Sequence, residues 1–312
     1  MKISVAITTY NGEQYLAEQL ESIKNQTRAP DEVIISDDCS TDTGPTLAKN
    51  FIEQNKLDNW QLIKNAENLG AVENFKKALS LCTGDIIFLC DQDDVWRNDK
   101  IAVMTEIMNS QSNVLSLASG YDIMNRFGEK SDIKFRPMYS KSCRMRIGEL
   151  RKIKGKLLEG NIAQGCCCAY RKSVVKEYLE KGKENTLPHD WALNLLAFER
   201  NGIYYVNRPL VSYRIHDTNA SGAISDNESV YNRVEILSEL SENTRKASEL
   251  VPEKAQQYLR LALFIEHRTK VSETGSIRLF AEGLIRYPDF VFSNHLAKYF
   301  KDLYAGIKTG TK

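Results

Sequence analysis

The chain has 312 residues, of which 42% are apolar and 27% are charged, and its formal net charge is +1. This composition excludes wholesale disorder, and the lack of a basic excess argues against a general nucleic-acid-binding protein. The length suits one large domain, or one domain with an appendage.

The cysteines and the N-terminal segment bear on the cellular compartment. Seven cysteines, three of them in the run Cys166-Cys167-Cys168, form no C-x-x-C pair, so they predict neither a disulfide framework nor a zinc site. Reduced thiols in apolar runs predict a reducing compartment, the cytoplasm. The apolar run Ile3–Thr9 is too short for a signal peptide, and we interpret it as a first strand. No stretch approaches the roughly 18 apolar residues of a membrane span.

The first 125 residues alternate strand and helix patterns, which predicts an α/β fold with a mostly parallel sheet. In chain order, the predicted elements are a strand at Ile3–Thr9, a helix at Gly12–Gln26, a strand at Glu32–Ser36, a helix up to Gln54 capped by Ser40 or Thr41, a strand at Trp60–Ile63, a helix at Ala71–Cys82 and a strand at Asp85–Cys90. Open sheets of this kind bind ligands beyond the carboxyl ends of their strands. Polar groups follow three of these strands, which predicts a ligand site there.

The rest of the chain is less regular and then becomes helical. The predicted elements are a strand at Val114–Met124, a tightly packed strand at Gly165–Tyr170, a helix at Pro188–Arg200 and a strand at Ile203–Tyr213. From about Ser225 the pattern is almost wholly helical. The change of composition near Gly222 predicts a domain of residues 1–222 followed by a helical region of residues 223–312.

The sharpest local signal is the acidic run Asp91-Gln92-Asp93-Asp94, directly after a buried strand. Carboxylates packed this closely raise each other's pKa unless a cation is present. A hard divalent ion such as magnesium or manganese prefers oxygen ligands and can bridge to a diphosphate. The alternative is a solvated acidic turn. The preceding apolar strand and the following Val95-Trp96 favour the metal interpretation.

The polar strand ends fall into motifs whose order and spacing carry a resemblance. The motifs are Ile3–Thr9 leading into Tyr10-Asn11-Gly12, then Ser36-Asp37-Asp38-Cys39-Ser40-Thr41-Asp42, Asn68-Leu69-Gly70 and Asp91-Gln92-Asp93-Asp94-Val95-Trp96, followed by His189-Asp190-Trp191 and Tyr213-Arg214-Ile215-His216 with Asn219. Together they resemble glycosyltransferase family 2, whose GT-A fold is a Rossmann-like sheet flanked by helices. The resemblance covers about residues 1–222. It implies a nucleotide-sugar-binding half at 1–96 and an acceptor-side half at 97–222.

The resemblance implies a role for each matching position. The implied set is Thr8, Tyr10, one of Asp37 or Asp38, Asn68, Gly70, Asp91 and Arg214 for the donor, Asp91, Asp93 and His216 for a magnesium or manganese ion, and Asp190 as the catalytic base. Taken alone, Asp190 would be a helix N-cap, and His216 would be a surface histidine. His189 replaces the Glu found in many members, which makes this region less negative.

The implied activity is metal-dependent, inverting transfer of a sugar from a nucleotide diphosphate to a polysaccharide or lipid-linked acceptor. The forms Asp-Gln-Asp-Asp-Val-Trp and His-Asp-Trp are similar to bacterial rhamnosyltransferase-like members that build cell-surface polysaccharides, which favours dTDP-rhamnose as the donor. One alternative is a sugar nucleotidyltransferase, but the segment Thr8–Gly12 supplies no Gly-rich basic loop for a triphosphate. The other is a catalytically inactive saccharide-binding or membrane-docking module.

Two basic segments bear on partners. Lys134–Lys156 contains nine basic residues and one acid, which indicates a solvated loop or a contact with an anionic membrane or lipid diphosphate. In Arg278–Lys312, six basic and three acidic residues are interleaved with aromatic and aliphatic ones. This pattern suits an interfacial helix on the inner face of the cell membrane. It also suits packing on the catalytic domain, or a homodimer formed through the C-terminal helices.

Overall fold

The computed structural model describes residues 1–131, 145–216 and 230–310. The chain divides into two compact units, and the segments of the first are Met1–Lys156 and Asn161–Ala223. The segments of the second are Leu157–Gly160 and Ile224–Lys312. The first unit is built on a sheet, whereas the second is helical.

Nine strands form the single sheet of the first unit. They are β1 (Ile3–Thr9), β2 (Glu32–Asp37), β3 (Trp60–Lys64), β4 (Ile86–Cys90), β5 (Val95–Trp96), β6 (Ser116–Met124), β7 (Leu150–Lys152), β8 (Cys168–Arg171) and β9 (Ile203–Arg214). Its helices are α1 (Leu16–Lys24), α2 (Gly44–Gln54), α3 (Ala71–Leu81), α4 (Lys100–Ser110), α5 (Lys172–Lys181) and α6 (His189–Glu199).

The strand order places the ends of β1 and β4 side by side. The order is β3-β2-β1-β4-β8-β6-β9-β5, with β7 paired to β9. Strands β3, β2, β1 and β4 are parallel, and β8 is antiparallel to both β4 and β6. The chain moves outward from β1 to β3 and then returns to the other side of β1 with β4. This reversal is where open α/β sheets bind ligands, and it confirms the predicted α/β fold.

Apolar runs explain why these strands lie at the centre. All five residues of β4 are fully buried, because helices cover both faces of the sheet there. Helix α3 buries Phe75 and Leu79, four residues apart on one stripe, so it packs one side only. The rigid carboxyl ends of β1 and β4 therefore carry the polar residues that follow them.

Two local predictions were wrong. Neither Ser40 nor Thr41 caps α2, which begins at Gly44, because the hydroxyl of Ser40 donates to the Asp37 carboxylate instead. The segment Gly165–Cys167 is a 3₁₀ turn, and the strand begins only at Cys168. The three consecutive cysteines are fully buried free thiols, as the lack of a disulfide pattern predicts.

The second unit is a set of packed helices. They are α7 (Val230–Leu250), α8 (Ala255–Thr274), α9 (Ile277–Arg286), the short α10 (Pro288–Phe290) and, after a π-helical turn at Val291–His295, α11 (Leu296–Gly310). Phe264 of α8 packs against Phe290 and Tyr299, with ring centroids 5.5 and 5.9 Å away. None of the helices in the described parts of the chain is long and apolar enough to cross a membrane.

Candidate functional site

A glutamine between the acidic residues ties the end of β4 to the end of β1. Gln92 Oε1 accepts hydrogen bonds from Thr9 Oγ1 and from the backbone N–H of Tyr10, both at 2.8 Å. Its Nε2 donates to the Tyr10 carbonyl at 3.1 Å. A Cβ added at Gly12 would lie 2.0 Å from Gln92 Oε1, so a larger residue there would displace the Gln92 amide. Asp91 and Asp93, on either side of Gln92, are thereby fixed beside the β1 loop.

Asp38 holds the turn that precedes α3. Its Oδ1 accepts from the backbone N–H of Leu69, and its Oδ2 accepts from that of Gly70, each at 2.8 Å. Asn65 Nδ2 donates to the same carboxylate at 2.8 Å, and Asn68 Nδ2 donates to the Asp38 carbonyl at 3.3 Å. Gly70 has φ 79°, a left-handed conformation that favours glycine. The predicted residues 38, 68 and 70 thus form one cluster.

The Asp37 carboxylate forms its hydrogen bonds within its own loop. Its carboxylate accepts from the Ser40 backbone N–H at 3.0 Å and from the Ser40 hydroxyl at 2.5 Å. Asp37 is fully buried and Asp38 is 3% exposed, so both carboxylates face the protein. Tyr10, in contrast, is 47% exposed at the same edge of the sheet, and Thr8 is half-buried.

Asp38→Asn should lower the free energy of unfolding by about 1–3 kcal/mol. The amide that it introduces has an NH₂ group in place of one carboxylate oxygen, so at least one of the N–H groups that donate to Asp38 loses its acceptor. Urea unfolding should show a lower midpoint with an unchanged slope. Glu67→Gln, at an exposed position of the same turn, is the matched control and should leave the midpoint unchanged. Equal midpoints for wild type and Asp38→Asn would contradict the structural role of Asp38.

Two carboxylates and a thiol crowd together after β4. The ligand atoms of Asp91, Asp94 and Cys166 lie within 4.8 Å of one another. Asp94 Oδ1 accepts from the Arg214 backbone N–H at 3.0 Å, whereas its buried Oδ2 has no hydrogen-bond partner among the described residues. Burial, reinforced by the charge of Asp93, raises the pKa of Asp94 to about 7.

The same crowding acts on Asp91. Burial raises the pKa of Asp91 well above its usual value, and the charges of Asp94, Asp93 and Asp190 add to the rise. A hard divalent cation would relieve the repulsion among these carboxylates, and the orphaned Asp94 oxygen shows that the site has acceptor capacity left. The donor set therefore fits magnesium or manganese.

Asp93 is paired with a histidine from the end of the sheet. His216 Nε2 lies 2.9 Å from Asp93 Oδ2, and both side chains are largely buried. The His216 ring packs on Tyr15, with centroids 4.8 Å apart. The structure thus brings together two of the three predicted metal ligands, and it places Asp94 next to the third, Asp91.

Arg214, which the resemblance assigns to donor binding, makes its contacts with other groups of the protein. Its guanidinium is buried, contacts Glu18 Oε2 at 2.5 Å and lies over the Tyr15 ring, 4.7 Å from its centroid. Its Nε donates to the Asp93 carbonyl at 2.7 Å. Because these groups occupy the guanidinium, Arg214 supports the backbone that carries Asp93 and Asp94.

A buried lysine lies beneath the acidic run, although nothing in the sequence pattern indicated it. Lys100 is fully buried, its Nζ donates to the Cys166 carbonyl, and it lies 3.5 Å from the centroid of the Trp96 ring. Burial lowers the pKa of Lys100. Its positive charge in turn lowers the pKa values of Asp91 and Asp94 and so opposes part of their rise.

Asp190 lies in the first turn of α6, on the side of the site where β8 begins. Pro188 occupies the N-cap position, so the interpretation of Asp190 as the helix cap is wrong. Its Oδ1 accepts from the Trp191 backbone N–H at 2.8 Å, and its Oδ2 accepts from Asn161 Nδ2 at 2.7 Å. A Cβ added at Gly165 would lie 3.5 Å from Asp190 Cβ, so the backbone of the 3₁₀ turn passes close to Asp190.

His189 contributes an aromatic surface rather than a charge. Its ring stacks on Phe75 with centroids 3.8 Å apart and an interplanar angle of 26°. Burial lowers the pKa of His189, which favours the neutral imidazole at neutral pH. A Cβ added at Gly165 would lie 3.2 Å from His189 Nε2, which leaves little room for a larger residue at position 165.

Comparisons with solved structures agree with this architecture. The chain superimposes on residues 1–349 of S. aureus TarS in complex with UDP-GlcNAc with a TM-score of 0.59 and 18% identity, covering 93% of this chain and 81% of that one. It also superimposes on the mannosyltransferase PcManGT from Pyrobaculum calidifontis, solved with GDP-Man and Mn²⁺, with a TM-score of 0.52 and 16% identity, covering 100% and 86%. These similarities confirm the GT-A fold.

Sequence relatives are bacterial glycosyltransferases. The chain is 28% identical over 251 residues to the dTDP-rhamnosyl transferase RfbG of Shigella flexneri, covering 74% of this chain and 78% of that protein. It is 31% identical over 131 residues to the putative teichuronic acid biosynthesis glycosyltransferase TuaG of Bacillus subtilis. That match covers 42% of this chain and 50% of the relative's length. The family model described as glycosyl transferase family 2 matches residues 4–179. Because that match spans more than half of the chain, the protein belongs to glycosyl transferase family 2.

Proposed function

We propose that this protein transfers a sugar from a nucleotide diphosphate to a hydroxyl group of a glycan or lipid-linked acceptor, with inversion at the anomeric carbon. The observation that carries the proposal is the position of Asp190. Asp190 lies close to the 3₁₀ turn Gly165–Cys167 and its charge contributes to the raised pKa of Asp91, so we infer that a carboxylate outside the acidic run faces the same site. Transfer by single displacement requires a donor-binding edge and a separate base on the acceptor side.

In this proposal Asp190 is the general base. The acceptor oxygen attacks the anomeric carbon, its proton passes to the Asp190 carboxylate, and the bond from carbon to the diphosphate oxygen breaks. Backbone and amide donors hold Asp190 on both oxygens, which fixes its direction without a competing positive charge. The helix rather than a loop sets the distance between this carboxylate and the acidic run.

Asp91, Asp93 and His216 are proposed to hold a magnesium or manganese ion, with Asp94 beside them. Such an ion, when bound, neutralises the charge that develops on the departing diphosphate. Asp93 and His216 already face each other at 2.9 Å. Arg214 holds the Asp93 backbone, so its contribution to the diphosphate is proposed to be indirect.

The donor is proposed to bind at the ends of β1 and β2. Exposed Tyr10 and half-buried Thr8 offer contacts for the base and ribose. Asp37 and Asp38 are proposed to act mainly through the loops that they hold, including the turn that contains Asn68 and Gly70. We propose dTDP-rhamnose as the donor, supported by the forms of the acidic motifs and by the 28% identity to RfbG, which is named for that donor.

A thermal-shift screen of nucleotide sugars with and without manganese tests the proposal. A ligand that binds only the native state raises the melting temperature, and dTDP-rhamnose should do so only with manganese.

Manganese alone should stabilise the protein more at pH 8 than at pH 6. The pKa of Asp94 is raised to about 7, so the metal-free protein loses stability as pH rises towards 7, and a proton competes with the metal below that value. Equal shifts at both pH values would contradict this prediction.

Product analysis separates the enzyme from its alternatives. Metal-dependent release of nucleoside diphosphate from a candidate donor is expected of a transferase, and a saccharide-binding module would release none. A sugar nucleotidyltransferase would instead form pyrophosphate from a nucleoside triphosphate. NMR of the product should show the opposite anomeric configuration to that of the donor, and retention would overturn the single-displacement proposal.

We further propose that the second unit contacts an anionic membrane through α11 and the turn before it. The exposed apolar side chains there recur every three or four residues and are Phe292, Leu296, Phe300, Tyr304 and Ile307. The single acid of α11, Asp302, is fully buried and contacts Arg233 at 2.6 Å and Arg268 at 2.7 Å. The exposed charges of α11 are therefore lysines, which complement anionic lipid.

Flotation with phosphatidylglycerol vesicles tests this surface in the full chain. Binding should weaken steeply with salt, and Lys298→Gln with Lys301→Gln should weaken it further, since each basic residue at the surface contributes about 1 kcal/mol. Phe300→Ser with Tyr304→Ser should abolish it, whereas Phe127→Ser, at an exposed aromatic of the first unit, should not. A stable dimer by light scattering without vesicle binding would assign the surface to a second copy. The basic residues of Lys134–Lys156 fall partly outside the described residues, at positions 132–144, and are not needed for this test.

A further inference from the structure

A chain of hydrogen-bonded amides leads from the core of the first unit to Asp190. Asn161 Nδ2 donates to Asp190 Oδ2 at 2.7 Å. Asn161 Oδ1 in turn accepts from Asn194 Nδ2 at 3.0 Å. Asn194 Oδ1 accepts from the Ser116 hydroxyl at 2.8 Å and from the Tyr170 hydroxyl at 3.2 Å. The sequence motifs indicated none of the four residues behind Asp190.

The hydrogen-bond partners fix which way each amide points. The Ile162 backbone N–H lies 2.9 Å from Asn161 Oδ1, and a backbone N–H can only donate. The atom that faces it must therefore be the Asn161 oxygen, which leaves the NH₂ group for Asp190. The Asn161 oxygen also faces Asn194 and can only accept, so the Asn194 group that meets it is the NH₂ donor, and the Asn194 oxygen accepts from the two hydroxyl groups. Every bond in the chain is then a donor meeting an acceptor.

Burial makes this arrangement costly to change. Asn194 is fully buried, one helical turn after Asp190 on α6, and Ser116 and Tyr170 are fully buried on β6 and β8. A reversed amide in such a place would set two donors or two acceptors against each other, at a cost of about 1–3 kcal/mol for each group left unpaired. The orientation of Asn161 is therefore set by the Ile162 N–H and by buried Asn194 rather than by solvent.

We propose that Asn161 is a positioning residue for the general base, and that Asn194 orients it. This proposal rests on the assignment of Asp190 as the base in the proposed function. With the Trp191 N–H on Oδ1 and the Asn161 N–H on Oδ2, each carboxylate oxygen keeps a lone pair for the acceptor proton, and rotation of the carboxylate is prevented. An error of about 1 Å in the placement of a catalytic group can cost roughly 100-fold in rate.

Asn161→Ala should lower kcat by ~10- to 100-fold while KM for the donor stays within about twofold, because the donor is proposed to bind at the ends of β1 and β2. Turnover is followed as release of dTDP from dTDP-rhamnose with manganese and a saccharide acceptor, or with the donor that the thermal-shift screen identifies. Asn25→Ala is the matched control, since Asn25 Nδ2 also donates to a carboxylate, that of Glu21, at 2.9 Å on an exposed surface. It should leave kcat unchanged.

A second variant gives a readout that a purely structural role would not change. Asn161→Asp keeps the shape but sets a second carboxylate against Asp190, and two carboxylates in contact share a proton. The acid limb of the plot of kcat against pH should therefore move upward by about one pH unit or more. An unchanged limb would overturn the direct contact between position 161 and the base.

A double-mutant cycle separates this proposal from the assignment of the base. If both residues act through one carboxylate, adding Asn161→Ala to Asp190→Asn should cause no further loss of kcat. A slow Asp190→Asn variant together with a fast Asn161→Ala variant would overturn the positioning role and leave the base in place. An Asp190→Asn variant with wild-type turnover would overturn the base itself. A large fall in melting temperature with an increased donor KM for Asn161→Ala would also overturn positioning, in favour of a structural role.

Discussion

Asp190→Asn should transfer sugar at least ~100-fold more slowly than wild type, because loss of a general base typically costs about 10²–10⁴-fold in rate. Donor affinity should be nearly unchanged. The amide introduced by this substitution has one oxygen and one NH₂ group. Its NH₂ group must face either the Trp191 N–H or the Asn161 NH₂ group, so two donors meet and the variant should also lose about 1 kcal/mol of stability. The measurements are transfer kinetics with manganese and a thermal melt.

Glu184→Gln, an exposed carboxylate in the loop before α6, controls for the loss of a negative charge and should transfer sugar at the wild-type rate. Donor binding measured in parallel by thermal shift separates a catalytic defect from a binding defect. Near-wild-type transfer by Asp190→Asn would remove it as the base. The search would then turn to another acid of the first unit.

Asp93→Ala should abolish metal-dependent donor binding. It removes the carboxylate that meets His216 at 2.9 Å, while the buried strand β4 that precedes the acidic run is untouched. Calorimetric titration of manganese with the nucleotide sugar should show no coupled binding, and turnover should fall to background. Excess chelator should have the same effect on the wild type.

Asp93→Asn separates charge from packing, because the amide can still hydrogen-bond to His216 but is a poor ligand for a hard cation. It should fold like the wild type and bind the metal weakly. Asp58→Ala, an exposed acid away from the site, is the control for net charge. Undiminished turnover by Asp93→Ala, or by wild type in chelator, would exclude the metal assignment.

Much of the first unit could be predicted because its signals are local. The apolar run before Asp91 specifies a strand buried on both faces, and the stripe of Phe75 and Leu79 specifies a helix packed on one side. The N-cap predicted at Ser40 failed for a long-range reason. The Asp37 carboxylate and the Asn11 N–H, at 2.9 Å, already engage the Ser40 hydroxyl.

The hydrogen-bond partners of the predicted site residues could not be predicted from local sequence patterns. Gln92 lies within the acidic motif, yet its contact with Tyr10 spans 82 residues of sequence. The contact between Asn161 and Asp190 joins two segments 29 residues apart, and that between Arg214 and Glu18 joins segments 196 apart. An isolated asparagine or lysine has no period or spacing that marks it. Only the packing of strands and helices brings such side chains together.

The sequence by itself determined the α/β class and the strands whose ends carry the polar groups, and its family resemblance marked Asp91, Asp93 and Asp190 as candidate site residues. These follow from hydrophobic periodicity and from short motifs, which are properties of neighbouring residues. The tertiary structure alone decided that Asp37, Asp38 and Arg214 face the protein, that Lys100 lies beneath the acidic run, and that Asn161 points its amide at Asp190. The reason is that burial and hydrogen-bond satisfaction depend on groups distant in the chain, and a buried polar group must take whichever partner the fold places beside it.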